Sequence, residues 1–151
     1  MLIKLIINNF MLLPKKVKHR KWHTDRKDFA GRAETRGTSV DFGSFGLKAE
    51  TGARVKSNQI EAARKALSRS LTKVGKVWIR IFPDRPFTQK AAEVPMGAGK
   101  GSLDYFAQTI NSGTIVFEMD GLPQKEAREA LRLAAHKLPL RTKIITSITV
   151  A

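Results

Sequence analysis

The chain has 151 residues, 42% of them hydrophobic, which suits one globular domain with a real core and leaves little room for two. Lysine and arginine number 28 against 13 aspartates and glutamates, a formal net charge of +15, well beyond the roughly 2–8 that solubility asks of a small domain, so a polyanionic partner is expected: RNA, DNA or an anionic membrane surface. The absence of cysteine excludes disulfides and thiolate metal sites, and no run of about 20 apolar residues offers a membrane-spanning helix.

Residues 1–10 read as an N-terminal extension. The apolar start "MLIKLIINNFMLL" is broken by Asn8 and Asn9, and Pro14 and a basic run follow without a small-residue cleavage site, which argues against a signal peptide. Residues 11–37 read as a basic arm with a net charge of +7 over residues 1–37. Its densest part, "PKKVKHRKWHTDRK", sets Lys15, Lys16, Lys18, Arg20, Lys21, Arg26 and Lys27 around Asp25 and interleaves His19, Trp22 and His23. No apolar periodicity is present, so the stretch builds no core of its own. A disordered tail has this composition, and so does an arm that orders along RNA. The interleaved rings favour the arm, because cations displace phosphate counterions while Trp22 and the imidazoles offer stacking faces. His19 and His23 are four apart, but no third metal ligand joins them.

Residues 38–151 are expected to form a single domain. Residues 28–40 read as a polar, glycine-bearing connection leading into it. "TSVDFGSFGLKAE", Thr38 to Glu50, reads as strand material bent at Gly43 and Gly46. Asn58 to Val74 is the clearest helix: Ile60, Ala63, Leu67, Leu71 and Val74 fall on one stripe, Ser57 or Asn58 is placed to cap it with Glu61 as capping-box partner, and Gly75 is the expected stop. Arg64, Lys65, Arg69 and Lys73 occupy its other faces against Glu61 alone, an imbalance that suggests a phosphate-facing surface. Lys76 to Phe82 alternates as a strand that Pro83 ends.

A long connection, residues 83–102, follows with Pro83, Pro86, Pro95, Gly97, Gly99 and Gly101, and connections of that length are usually functional. Leu103–Asn111 and Thr114–Met119 read as two strands of a hairpin around "NSG". A second helix starts near Pro123 and ends at Pro139, with Ala127, Ala130, Leu131, Ala134 and Leu138 as its stripe. Thr142 to Val150 is a β-branched final strand. Residues 51–100 carry a net +8 and residues 101–120 a net −3, a segregation expected of a domain with one face on a polyanion. The sum is an α+β fold: a mixed sheet with two helices packed on it, an extended basic N-terminal arm and a long glycine-rich loop.

The loop "EVPMGAGKGSLDYF", Glu93 to Phe106, invites a nucleotide-binding reading that its spacing rejects. A Walker loop needs Gly-Lys followed by Ser or Thr, whereas Gly99-Lys100 is followed by Gly101, and Val94 stands where the first glycine belongs. The dinucleotide fingerprint fails at Ser102. No catalytic constellation, metal set or cofactor is indicated elsewhere. What the loop offers is close-approaching backbone amides, with Arg85, Lys90 and Lys100 around them.

In order along the chain, "MLLPKKVKHRK", "FGSFGLKA", "QIEAARKA", "GKVWIRIFPD", "MGAGKG", "FEMDG" and "AREALRLAAHKLP" resemble the large-subunit ribosomal protein family sixteen of bacterial type, whose archaeal and eukaryotic counterpart is the ten-e family. The resemblance covers about residues 11–149. It implies a structural, non-enzymatic constituent of the large subunit that binds large-subunit rRNA late in assembly. It implies a glycine loop beside the A-site tRNA near the peptidyl transferase region, contact with neighbouring large-subunit proteins, and no membrane.

By the same resemblance Lys15, Lys16, Lys18, His19, Arg20, Lys21, Trp22, Arg36, Lys48, Arg54, Arg64, Lys65 and Lys73 are expected to face rRNA. Arg80, Arg85, Lys90, Met96, Gly97, Gly99 and Lys100 are expected near tRNA. The location implied is a bacterial cytoplasmic ribosome, with an organellar ribosome as the alternative. Pro95 departs from the family, which places an arginine there; a bidentate phosphate contact is lost, and the hydroxylation known in some members has no substrate. A general RNA-binding factor outside the ribosome is the second reading, and a phosphate-transfer enzyme on the loop the third.

Overall fold

The computed structural model describes residues 12–23, 32–71 and 75–147. The elements in chain order are β1 (Phe45–Ala49), β2 (Ala53–Lys56), α1 (Ser57–Ser70), β3 (Lys76–Ile79), β4 (Arg85–Gln89), β5 (Ser102–Ile110), β6 (Ile115–Asp120), α2 (Gln124–Ala135) and β7 (Thr142–Thr146). The expected α+β architecture is present. Its strands divide into two antiparallel sheets, a four-stranded one in the order β3-β6-β1-β7 and a three-stranded one in the order β2-β5-β4.

The four-stranded sheet carries the core. Its register sets Leu47 opposite Phe117, and Phe45 and Val77 opposite Met119, so one face is apolar. Onto it pack Ile60, Ala63 and Leu67 of α1 and Ala127, Ala130, Leu131 and Ala134 of α2, all buried, and the helices also pack on each other. Both predicted stripes are therefore real, because one apolar face per helix against one apolar sheet face is how such a domain buries its hydrophobic surface. Lys73 and Val74, expected in α1, lie outside the described residues, as do 148–150 of the expected last strand.

Several expectations are corrected. The capping-box partner of α1 is Gln59, whose Oε1 accepts the backbone N–H of Lys56 at 2.9 Å, while Glu61 pairs with Arg64. Helix α1 ends at Ser70 with Leu71 extended, ahead of Gly75; Gly75 instead permits close passage, since a Cβ there would stand 3.3 Å from the Asp120 carbonyl oxygen. The bent strand expected from Thr38 is regular only over β1. Beyond Ile79 one further pairing, from Arg80 N–H to the Val116 carbonyl at 3.0 Å, extends the edge strand toward Pro83. The connection 83–102 is not structureless: β4 occupies Arg85–Gln89, with Pro86 accepted on an edge strand. The "NSG" turn closes no hairpin. β5 and β6 belong to different sheets, and Gly113, with φ of 99°, turns the chain from one to the other.

Candidate nucleic-acid interface

The three-stranded sheet was invisible in the sequence as a unit, yet its register assembles the most distinctive surface. Arg54 lies opposite Thr109, Lys56 and Arg85 both lie opposite Ala107, and Phe87 lies opposite Tyr105. Alternation along each strand puts all of these on one face. The rings of Phe87 and Tyr105 stack with centroids 5.4 Å apart. The Arg54 guanidinium lies 4.7 Å from the Phe87 centroid, and the Lys56 ammonium 3.9 Å from that of Tyr105. Phe87 is buried and Tyr105 half-buried, and a cation–ring contact is worth about 0.5–1 kcal/mol where exposed and more where desolvated. A ring contact also leaves the ammonium charge of Lys56 in place, so the face stays positive while its side chains are held in fixed positions.

The glycine loop rises from the end of this sheet between β4 and β5. Gly97, Ala98 and Gly99 have positive φ of 122°, 52° and 88°, a run that glycine makes accessible. Lys90 donates from Nζ to the carbonyl oxygen of Gly97 and, at 3.4 Å, to that of Pro95, closing the loop on its own base. Gly101 has no room for a side chain, because a Cβ would stand 2.6 Å from the Gln89 carbonyl oxygen. Residues 91–100 are all exposed, and Met96 at the tip is 96% exposed.

The arm docks against this loop. Lys21 Nζ donates to the carbonyl oxygen of Lys100 at 2.9 Å, and Lys100 Nζ donates in return to that of Trp22. The Trp22 ring lies 5.8 Å from the Arg85 guanidinium, which also donates to Thr109 Oγ1 at 3.2 Å; Trp22 Nε1 donates to the His19 carbonyl at 3.1 Å. Arm, loop and sheet face thus form one continuous basic and aromatic surface.

The structure brings together Lys21, Trp22, Arg54, Arg85, Lys90, Gly97, Gly99 and Lys100 of the expected residues, with Met96 projecting. Lys15, Lys16, Lys18, His19 and Arg20 are exposed along the arm, and Arg36 and Lys65 are exposed elsewhere. Lys48 donates from Nζ to the Thr38 carbonyl at 3.2 Å. Arg64 is paired with Glu61 at 2.6 Å; that bond raises the arginine's pKa and lowers that of Glu61. Arg80 stands apart on the other sheet, held by Glu118 and by Asp41 at 2.9 Å. Lys73 lies outside the described residues. Lys56, Phe87 and Tyr105 were missed; recognising β2 and β4 and pairing them with β5 would have found them. Among the described residues no group of three His, Asp or Glu side chains is placed to hold a metal, and no helix is long and apolar enough to cross a membrane.

A profile of the family described as Ribosomal protein L16p/L10e matches residues 14–145, from the arm to β7. The chain belongs to that family. It is a structural, rRNA-binding protein of the large ribosomal subunit, part of the machinery of translation.

Proposed function

From that membership we propose that the arm, the glycine loop and the β2-β5-β4 face are the surface this protein turns to RNA, with the loop tip beside the A-site tRNA near the peptidyl transferase region. The observation that carries this reading is the clasp between Lys21–Trp22 and Lys100–Arg85, which ties the arm to the loop. Residues 15–20 neutralise rRNA phosphates as the subunit matures late in assembly. The sheet face gives fixed cations to the RNA backbone, and the exposed Trp22 ring gives a stacking face to bases. The loop, with only Ala98 and Gly99 between Gly97 and Lys100, enters the narrow space left by the tRNA acceptor end and positions it through backbone amides and Lys100. The protein supplies placement, and no step of bond-making is assigned to it. Its neighbours are rRNA, A-site tRNA and other large-subunit proteins, in a ribosome of bacterial type.

Two variants reconstituted into large subunits test the division of labour. Lys100→Ala lowers A-site tRNA affinity several-fold and leaves assembly near normal. Deletion of residues 12–18 slows incorporation and leaves the tRNA affinity of completed subunits near normal. Equal losses in both assays for both variants contradict the assignment. A factor acting outside the ribosome would instead stay in the free pool and bind RNAs indiscriminately with a steep salt dependence.

A further inference from the structure

One aromatic cluster takes no part in the RNA-facing surface. Phe42, in the segment leading into β1, is 56% exposed, and its ring stacks on Trp78 of β3 with centroids 6.4 Å apart and planes 22° apart. The Arg80 guanidinium lies 4.8 Å from the same ring. Phe82, two residues beyond Arg80, is 42% exposed. The exposed ring is held rigidly from below. Glu118 is fully buried; its carboxylate accepts the backbone N–H groups of Phe42 at 2.7 Å and Gly43 at 2.9 Å and the guanidinium of Arg80. Arg80 also donates to Asp41 at 2.9 Å, and Asp41 accepts Ser39 Oγ at 2.9 Å. A buried carboxylate and an arginine thus fix a phenylalanine where water can reach it.

The electrostatic character of this place is opposite to that of the molecule. In a chain of net charge +15, the network holds one cation, Arg80, against two carboxylates, Asp41 and Glu118. Asp84, two residues beyond Phe82 and followed by Arg85, whose guanidinium turns to Trp22 and Thr109, is exposed. Asp120, held by Ser44 Oγ at 2.6 Å, faces Lys76 across the β3–β6 register and adds no net charge. Phosphates are repelled by Asp41 and Asp84, whereas lysine and arginine side chains are attracted, and guanidinium groups stack on exposed rings. β3 is moreover the edge strand of its sheet, along which an extended peptide can run.

We propose that Phe42, Trp78 and Phe82, flanked by Asp41 and Asp84, form a docking site for a lysine- and arginine-bearing extended segment of another protein. The inference rests on membership in the large subunit and not on the tRNA-facing role of the loop. Arg80 serves here as the positioning residue of Phe42.

The absence of cysteine makes a single introduced thiol uniquely addressable. Phe82→Cys and, separately, Phe42→Cys proteins carrying a thiol-linked benzophenone are built into large subunits, irradiated and digested with ribonuclease and then protease. The expected product is a ribonuclease-resistant protein adduct whose cross-linked peptide is rich in lysine and arginine, with a yield that Asp41→Asn lowers several-fold. An adduct to rRNA, an adduct to an acidic or uncharged peptide, or no adduct above the unlabelled control overturns the proposal. Phe82→Cys lies outside the Glu118 network, so it carries the test if Phe42→Cys fails to fold. A Met96→Cys protein labelled alike separates the two levels: if it enters subunits while the Phe82 probe marks RNA or nothing, the docking site alone fails. If neither enters subunits, the ribosomal reading fails with it.

Discussion

Lys21 and Lys100 clasp one another although 79 residues separate them: the ammonium of Lys21 donates to the carbonyl of Lys100, and Lys100 donates in return to the carbonyl of Trp22. Two like-charged side chains meet without direct repulsion because each addresses a backbone oxygen near the other. The result is a concentration of positive charge that self-repulsion opposes and a polyanion stabilises. It explains how an arm without a core of its own reaches a defined place on the domain.

If the clasp orders the loop, Trp22→Ala should loosen it. The amides of residues 91–100 should exchange several-fold faster by hydrogen–deuterium exchange, with global stability changed by less than about 1 kcal/mol, because the contacts are exposed. Unchanged exchange would show that the loop holds its shape without the arm.

Glu118 is the opposite case. Removing its carboxylate by Glu118→Ala leaves Arg80 and the N–H groups of Phe42 and Gly43 without their acceptor, at a cost of about 3–5 kcal/mol. Denaturant unfolding should show that loss, a similar one for Arg80→Ala, and a double variant less destabilised than the sum.

Gly101→Ala presses a methyl group against the Gln89 carbonyl, where no flexible side chain can yield. A loss of about 1–3 kcal/mol is expected in equilibrium unfolding. Gly99→Ala meets open space, and its effect should be confined to the shape of the loop, where φ is 88°.

Acid should weaken the fold in a defined direction. Asp41, Glu61, Asp120 and Glu129 titrate below the ordinary carboxylate range, held there chiefly by hydrogen bonds from Ser39, Arg64, Ser44 and Arg132 respectively. Their folded values lie below their unfolded ones, so the stability they contribute is complete above the unfolded values and fades as pH falls through the folded ones. Thermal melts should be nearly flat from pH 7 to about 5 and decline below about 4. A decline beginning near pH 6 would contradict this account.

Both helices and the long strands were readable because each presents one period: Ile60, Ala63 and Leu67 at helical spacing, and Val77 and Ile79 alternating. What escaped was pairing. Nothing local in Arg85–Gln89 marks a strand, since Pro86 argues against one and the β5 register alone makes it so. The "NSG" hairpin signal was outweighed by tertiary context, because Ile115–Met119 is buried on both faces and needs the central place in the other sheet. Arg80 is expected near tRNA by resemblance, and its ion-pair partners Asp41 and Glu118, 39 and 38 residues away, are not legible locally. Charge composition and the glycine loop pointed to a polyanionic partner, whereas the contacts among Trp22, Arg85 and Lys100 required three dimensions.

The most direct measurement places a hydroxyl-radical source on the loop tip. A Met96→Cys protein, with its only thiol carrying tethered iron, is incorporated into large subunits and radical formation is triggered with and without A-site tRNA. Cleavage should fall in rRNA lining the A site and in the acceptor end of the bound tRNA, and tRNA should shield part of the rRNA signal. Cleavage confined to rRNA remote from the bound tRNA, and unchanged by it, would contradict the placement of the loop.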